Sequence, residues 1–207
     1  MALSGVALVT GAAQGIGRAI ALRLAADGFN VAINDVASKR SDLDRIAHEI
    51  ADKGRLTKIV IADVSAHNQV QSMVEDVVTE LGGLDVVSGP SITFVQHLNY
   101  SIRWLPMLVY ASGTPLLTVS ALELTVGCSD LPNFMIATVE DWDRIFAVNA
   151  RGVFLCYKYA AKQMIAQGRG GRIIGACSVA GKKGEPMIGP YSSTKFAVRG
   201  LTQAAGA

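Results

Sequence analysis

The 207-residue chain predicts an α/β fold, a doubly wound parallel sheet with helices on both faces, on three observations. Short runs rich in aliphatic residues recur at 6–9, 31–33, 58–61, 84–87 and 172–177, and the first is too uniformly apolar for a strand with one wet face. Helical patterns separate them, and strands alternating with helices imply a parallel sheet covered on both sides. The first strand also turns into its helix through a glycine-rich loop, the place where open parallel sheets bind ligands.

Val6-Ala7-Leu8-Val9 reads as a buried strand. It runs straight into Thr10-Gly11-Ala12-Ala13-Gln14-Gly15-Ile16-Gly17 and then into the helical pattern 18–24. Strand, glycine turn and helix together define a phosphate-binding loop rather than a chance glycine cluster. Gly11 allows the tight turn, Gly15 lets backbone approach a pyrophosphate, and Gly17 lets helix and strand pack closely. The pyrophosphate would rest on backbone amides at the positive end of the helix dipole. Thr10, Gln14 and Ile16 complete the candidate loop; a flexible turn without ligand is the bland alternative.

Val31-Ala32-Ile33 is a second strand ending at Asn34-Asp35. A carboxylate there accepts hydrogen bonds from adenosine ribose hydroxyls and repels a 2′-phosphate, which favours NAD over NADP. No basic residue lies inside the loop, although Lys39 and Arg40 follow closely. Ser41-Asp42-Leu43-Asp44 has the composition of a capping box, and its helix carries Leu43, Ile46 and Ile50 on one face. The third strand, 58–61, leads to Asp63 and Val64. Asp63 could bond an adenine amino group or cap the following helix, and the two roles are compatible. Val70, Met73, Val74 and Val77 line that helix, and Leu84-Asp85-Val86-Val87 starts a fourth strand.

Farther on, Val139-Glu140-Asp141-Trp142 opens a long helix carrying Asn149, 172–177 gives a fifth strand, and Pro190 precedes another helix. That last helix contains Tyr191 and Lys195, with Ser178 upstream. Residues four apart share a helix face, so the phenol and the ammonium point into the same space. Such a cation draws a phenol of reference pKa near 10 toward neutrality; a drop of about 3 units requires roughly 4 kcal/mol of preferential phenolate stabilisation.

Together these residues resemble the short-chain dehydrogenase/reductase family, in the branch with the glycine motif TGxxxGxG. The likeness covers 5–87 and about 131–205. It implies a Rossmann-like fold in which Tyr191 is the acid/base and Ser178 bonds the substrate oxygen. It further implies that Lys195 lowers the tyrosine pKa and holds the nicotinamide ribose, and that Asn149 of Val148-Asn149-Ala150-Arg151-Gly152 places a water. Without it, Ser178 is a strand-end serine and Asn149 a helix residue bonded to its own backbone. The stretches 171–178 and 191–203 are similar to acetoin (diacetyl) reductases, implying a small carbonyl or secondary alcohol as substrate. A nucleotide-sugar epimerase is disfavoured because its glycine spacing differs. The family's dimers imply a homo-oligomer formed through the helices bearing Asn149 and Tyr191.

The length suits one domain, 1–207. Half the residues are apolar and the net charge is +2, without a basic cluster interleaved with aromatics, so nucleic acid is not expected as a partner. Cys128, Cys156 and Cys177 lack metal-ligand spacing, and His48, His67 and His97 are scattered. No leader precedes the first strand, so the cytoplasm is the expected location.

The pattern breaks at 88–130. Val87 is followed by Ser88-Gly89-Pro90 rather than the family's Asn-Asn-Ala-Gly turn, and periodicity fades over a nearly uncharged stretch containing Pro90, Pro106 and Pro115. The prolines, a glycine and several hydroxyl residues argue against a membrane span there. Two readings stand: a translated intron or splice product, or a real insertion serving as lid or partner surface. Family members also run to roughly 250 residues, ending in two further strands that this chain lacks. The main functional expectation is therefore NAD-dependent oxidoreduction; the alternative is an inactive dinucleotide-binding variant that pairs with a full-length partner.

Overall fold

The computed structural model describes residues 5–89, 137–185 and 188–206, with the backbone of four short strands between 101 and 125. Strands β1 (Val6–Thr10), β2 (Asn30–Asp35), β3 (Thr57–Ile61), β4 (Val86–Ser88) and β9 (Arg172–Ile174) form a five-stranded sheet in the order β3-β2-β1-β4-β9. Every neighbouring pair is parallel. The order reverses beside β1, which makes the carboxyl ends of β1 and β4 the topological switch point where such sheets take ligands.

Helix α1 (Gly15–Ala26) follows β1, α2 (Arg40–Ala51) follows β2, and α3 (His67–Leu81) follows β3. Helices α4 (Val139–Phe146) and α5 (Val153–Ala166) flank a π-wound turn, Ala147–Gly152, and α6 (Gly189–Ala205) follows β9. Alternation along β1 sorts the core into two layers. Ala7 and Val9 face α1 and α2 through Ile20, Leu24, Leu43, Ile46 and Ile50. Val6 and Leu8 face α3 and α5 through Val70, Met73, Val77, Leu155 and Ala160. Both winding directions are thereby present.

Three details differ from the sequence reading. The α2 helix begins at Arg40 out of a 3-10 turn at Ala37–Lys39, with no side-chain cap, so Ser41 lies inside the helix rather than at its start. Asp63 is not the cap of α3, which begins at His67. Its Oδ1 instead accepts from Ser65 N–H at 2.8 Å, closing a turn of its own. A true capping box sits where none was expected: Thr138 Oγ1 accepts from Asp141 N–H at 3.1 Å, and Asp141 accepts from Thr138 N–H.

Between 101 and 125, β5 (Ser101–Ile102) pairs antiparallel with β8 (Leu124–Thr125), and β6 (Leu105–Ala111) with β7 (Thr114–Ala121). The expected loss of regular structure is therefore corrected over those strands. Pro90 lies outside the described residues. No helix among the described residues is long and apolar enough to cross a membrane.

Candidate active site

The candidate residues lie along the carboxyl edge of the parallel sheet. Thr10 ends β1, Asp35 ends β2, Asp63 and Val64 follow β3, and Ser178 follows β9. Thr10 is fully buried and its hydroxyl donates to the Ser88 carbonyl at 3.1 Å, tying the ends of β1 and β4 together. From there Gly89 N–H donates to the Ile174 carbonyl at 2.8 Å, carrying the connection to β9.

The glycine loop is shaped by what its residues lack. Gly11 has φ +65° and Gly15 φ +54°, in the left-handed region that glycine tolerates. A Cβ on Gly17 would lie 2.1 Å from the Gly11 carbonyl oxygen, so helix and loop meet there without room for a methyl group. A Cβ on Gly15 would meet nothing within 4 Å, leaving open space above the start of α1. Ile16 packs into the core while Gln14 is exposed. Asp35 joins the loop directly, since its Oδ2 accepts from Ala13 N–H at 3.1 Å. This cradle fits a dinucleotide pyrophosphate, with the Asp35 carboxylate at its edge.

The second cluster is built on burial. Lys195 is wholly buried, and its Nζ donates to the Ala176 carbonyl at 2.8 Å while lying 5.5 Å from the Tyr191 ring centre. Tyr191 and Ser178 share a side-chain hydrogen bond, and Ser178 Oγ also accepts from Ala180 N–H at 3.2 Å. Asn149 is buried in the π-wound turn, which packs against α6. Gly152 closes that turn against Val64: a Cβ there would lie 3.0 Å from Val64 Cγ2 and 3.2 Å from its carbonyl oxygen. Val64 thus supports the Asn149 helix, a role its position after a strand did not reveal.

The protein surroundings of Tyr191 do not by themselves lower its titration. Burial raises its phenol above the ordinary tyrosine value, with the Ser178 hydrogen bond pulling the other way and Cys177 adding slightly to the rise. Lys195 is itself pushed down from 10.5 to about 8 by burial, only weakly opposed by Cys177. Desolvation dominates at both groups, and the ammonium donates to the Ala176 carbonyl while lying 5.5 Å from the phenol ring centre.

Sequence reasoning passed over Cys177, whose Sγ donates to the Lys195 carbonyl at 3.5 Å and lies 2.6 Å from where a Gly181 Cβ would be. Its adjacency to Ser178 was the available signal. The Lys39 ammonium, bonded to Gln14 Oε1 at 3.1 Å, was noticed only as a nearby charge.

The short chain dehydrogenase family model matches residues 5–92 and 108–207. A short-chain dehydrogenase/reductase of Armillaria gallica is 46% identical over 200 residues, covering 97% of this chain and 63% of that protein. L-2,3-butanediol dehydrogenase of Corynebacterium glutamicum is 34% identical over 203 residues (98% of this chain, 65% of that one). A 3-oxoacyl-[acyl-carrier-protein] reductase of Staphylococcus aureus is also 34% identical, over 206 residues (99% and 68%), so identity alone does not choose between those activities. The solved structure of acetoin dehydrogenase from Enterobacter cloacae superposes with a TM-score of 0.74 at 27% identity, covering 99% of this chain and 67% of that one. The chain belongs to the short-chain dehydrogenase/reductase family, whose members are oxidoreductases that bind NAD(P). It spans about two thirds of the length of these relatives.

Proposed function

We propose that the protein transfers a hydride between NAD(H) and a small secondary alcohol or ketone of the acetoin type. The observation that carries the reading is the shared hydrogen bond of Tyr191 and Ser178 beside the buried Lys195, on the same sheet edge as a dinucleotide cradle. The nicotinamide supplies or accepts the hydride when bound. Tyr191 gives its proton to the nascent alkoxide, or takes it from the alcohol, and Ser178 holds the same oxygen. Lys195 stabilises the phenolate left behind, and Asn149 places a water for proton return. Burial keeps the phenol protonated, the form that donates to a carbonyl oxygen during reduction.

Asp35 supports NAD as the preferred dinucleotide, and the acetoin and butanediol dehydrogenases among the relatives support the substrate class. Phe154 on α5 and Phe196 on α6 are 46% and 45% exposed, which supports pairing of two copies through these helices. Residues 88–130 are read as an atypical segment within one domain, which transcript reads across that span would test.

The test is diacetyl or acetoin reduction followed by NADH absorbance. Tyr191→Phe is expected to lower kcat by about 10³-fold, the scale of general acid catalysis, while NADH binding stays within about twofold. Turnover unchanged in Tyr191→Phe would overturn the assignment. Binding of NADH without turnover in the wild type would instead favour an inactive binder.

A further inference from the structure

We propose that Tyr157 is a positioning residue for the reaction, clamping the helix that follows Asn149 to the helix bearing Tyr191 and Lys195 and so fixing how these groups meet Ser178. The inference rests on the catalytic reading above and deepens it. Tyr157 on α5 is buried, and its hydroxyl lies 2.8 Å from Thr202 Oγ1 on α6. Thr202 spends its own proton on the Val198 carbonyl at 2.8 Å, so the phenol is the donor of the pair. Burial pushes that phenol up to about 12, which keeps its proton in place. Lys195, Val198 and Thr202 recur at the spacing of one face of α6, and the first two are fully buried. The bond at Thr202 therefore acts on the face from which Lys195 projects.

Two strand ends make room for the phenol. A Cβ on Gly89, just past β4, would lie 3.6 Å from Tyr157 Cε1. A Cβ on Gly175, just past β9, would lie 2.0 Å from the Tyr157 hydroxyl oxygen and 2.8 Å from Thr202 Oγ1. The next residue is Ala176, whose carbonyl takes the Lys195 ammonium at 2.8 Å, and Ser178 follows two positions later. The hydroxyl pair thus sits against the backbone that carries the contacts of Lys195 and Ser178. Beyond the pair, α5 and α6 border an open cavity of about 430 Å³ lined by Ala161, Met164, Ile165 and Ala205. At that end a hydrogen bond stands between the helices, and it fixes direction and separation where apolar contact is non-directional.

Diacetyl reduction followed by NADH absorbance, with NADH binding followed by fluorescence, tests this. Tyr157→Phe keeps the ring and removes the hydroxyl. It should lower kcat about tenfold, inside the roughly 10²-fold cost of a 1 Å misplacement, while KM and the NADH Kd stay within about twofold. Thr202→Val should do the same, and Thr202→Ser, which keeps the acceptor, should retain wild-type turnover. The double variant Tyr157→Phe/Thr202→Val should fall no further than either single change, as for two ends of one bond. A kcat in Tyr157→Phe within about twofold of wild type, even with a lower urea midpoint, overturns the proposal and leaves a packing residue. A double variant whose loss is the product of the single losses also overturns it. Wild-type NADH binding without diacetyl turnover sinks the catalytic reading itself, and this inference falls with it.

Discussion

Residues 10–17 and residues 176–195 sit on the same edge of one sheet, yet they make their sites by opposite means. The first region works by omission, since Gly17 leaves room for a backbone carbonyl and Gly15 leaves open space for a ligand. The second works by crowding. It seals a lysine from water, threads a thiol between Lys195 and Gly181, and buries a phenol against a serine. Omission makes a site sterically brittle but electrically simple. Crowding makes one that tolerates small losses of volume yet carries a standing electrostatic cost.

The sharpest way to break the comparison is at Gly17. Gly17→Ala should cost more than about 3 kcal/mol, because the methyl group meets backbone that cannot move aside as a side chain would; urea unfolding measures it. Gly15→Ala, where the methyl group meets nothing, should cost only about 1–2 kcal/mol from the left-handed backbone, while abolishing measurable NADH binding. Equal losses of stability in the two variants would erase the distinction drawn for the loop.

The crowded region is probed through pH. Lys195 titrates at about 8 in the folded chain against 10.5 ordinarily, so between those values the unfolded chain binds more protons and stability rises with pH. The burial cost is fully present below pH 8 and relieved by about 3 kcal/mol at the top of the window. Lys195→Met should lack this rise, which urea midpoints from pH 7 to 10 would reveal as a flatter profile. The phenols of Tyr157, raised to about 12, and Tyr191 act oppositely, withdrawing stability only as pH climbs past 10.

Smaller effects mark the frame around both regions. Thr138→Ala removes the capping box of α4 and should cost about 1 kcal/mol, read from the thermal midpoint. Arg18→Ala breaks an ion pair with Glu49 whose partners are 45% and 42% exposed. Its cost should stay below about 0.5 kcal/mol.

The same contrast explains what could be read from the sequence. Omission is legible, because a glycine between an aliphatic run and a helical pattern has few other purposes, and Gly11, Gly15 and Gly17 stand where that argument places them. The heptad-like rows of Leu43, Ile46 and Ile50, and of Val70, Met73, Val74 and Val77, were equally readable because burial on a helix imposes a period. Crowding is not legible. Whether Lys195 lowers the Tyr191 pKa depends on where its ammonium donates, which spacing along a helix does not determine. Asp63 and Ser41 were misplaced for a related reason: short polar side chains bond locally in several backbone settings, and only the path of the chain selects one. The region 101–125 escaped because Leu105–Ala111 shows no alternation of apolar and polar residues.

The π-wound turn at Ala147–Gly152 holds one residue more than an α-helix would need for the same rise. The helix pair on either side of it is consequently out of phase by about 100°, the angle one residue subtends. Deleting a single amino acid between 147 and 152 would let the winding run on uninterrupted, swinging Asn149 off the side that meets α6 and displacing the packing of Val148 and Gly152 on the layer around Val64. The catalytic geometry is in this sense a counting property of the chain. An indel of length one would change both that phase and the contact of the turn with Val64.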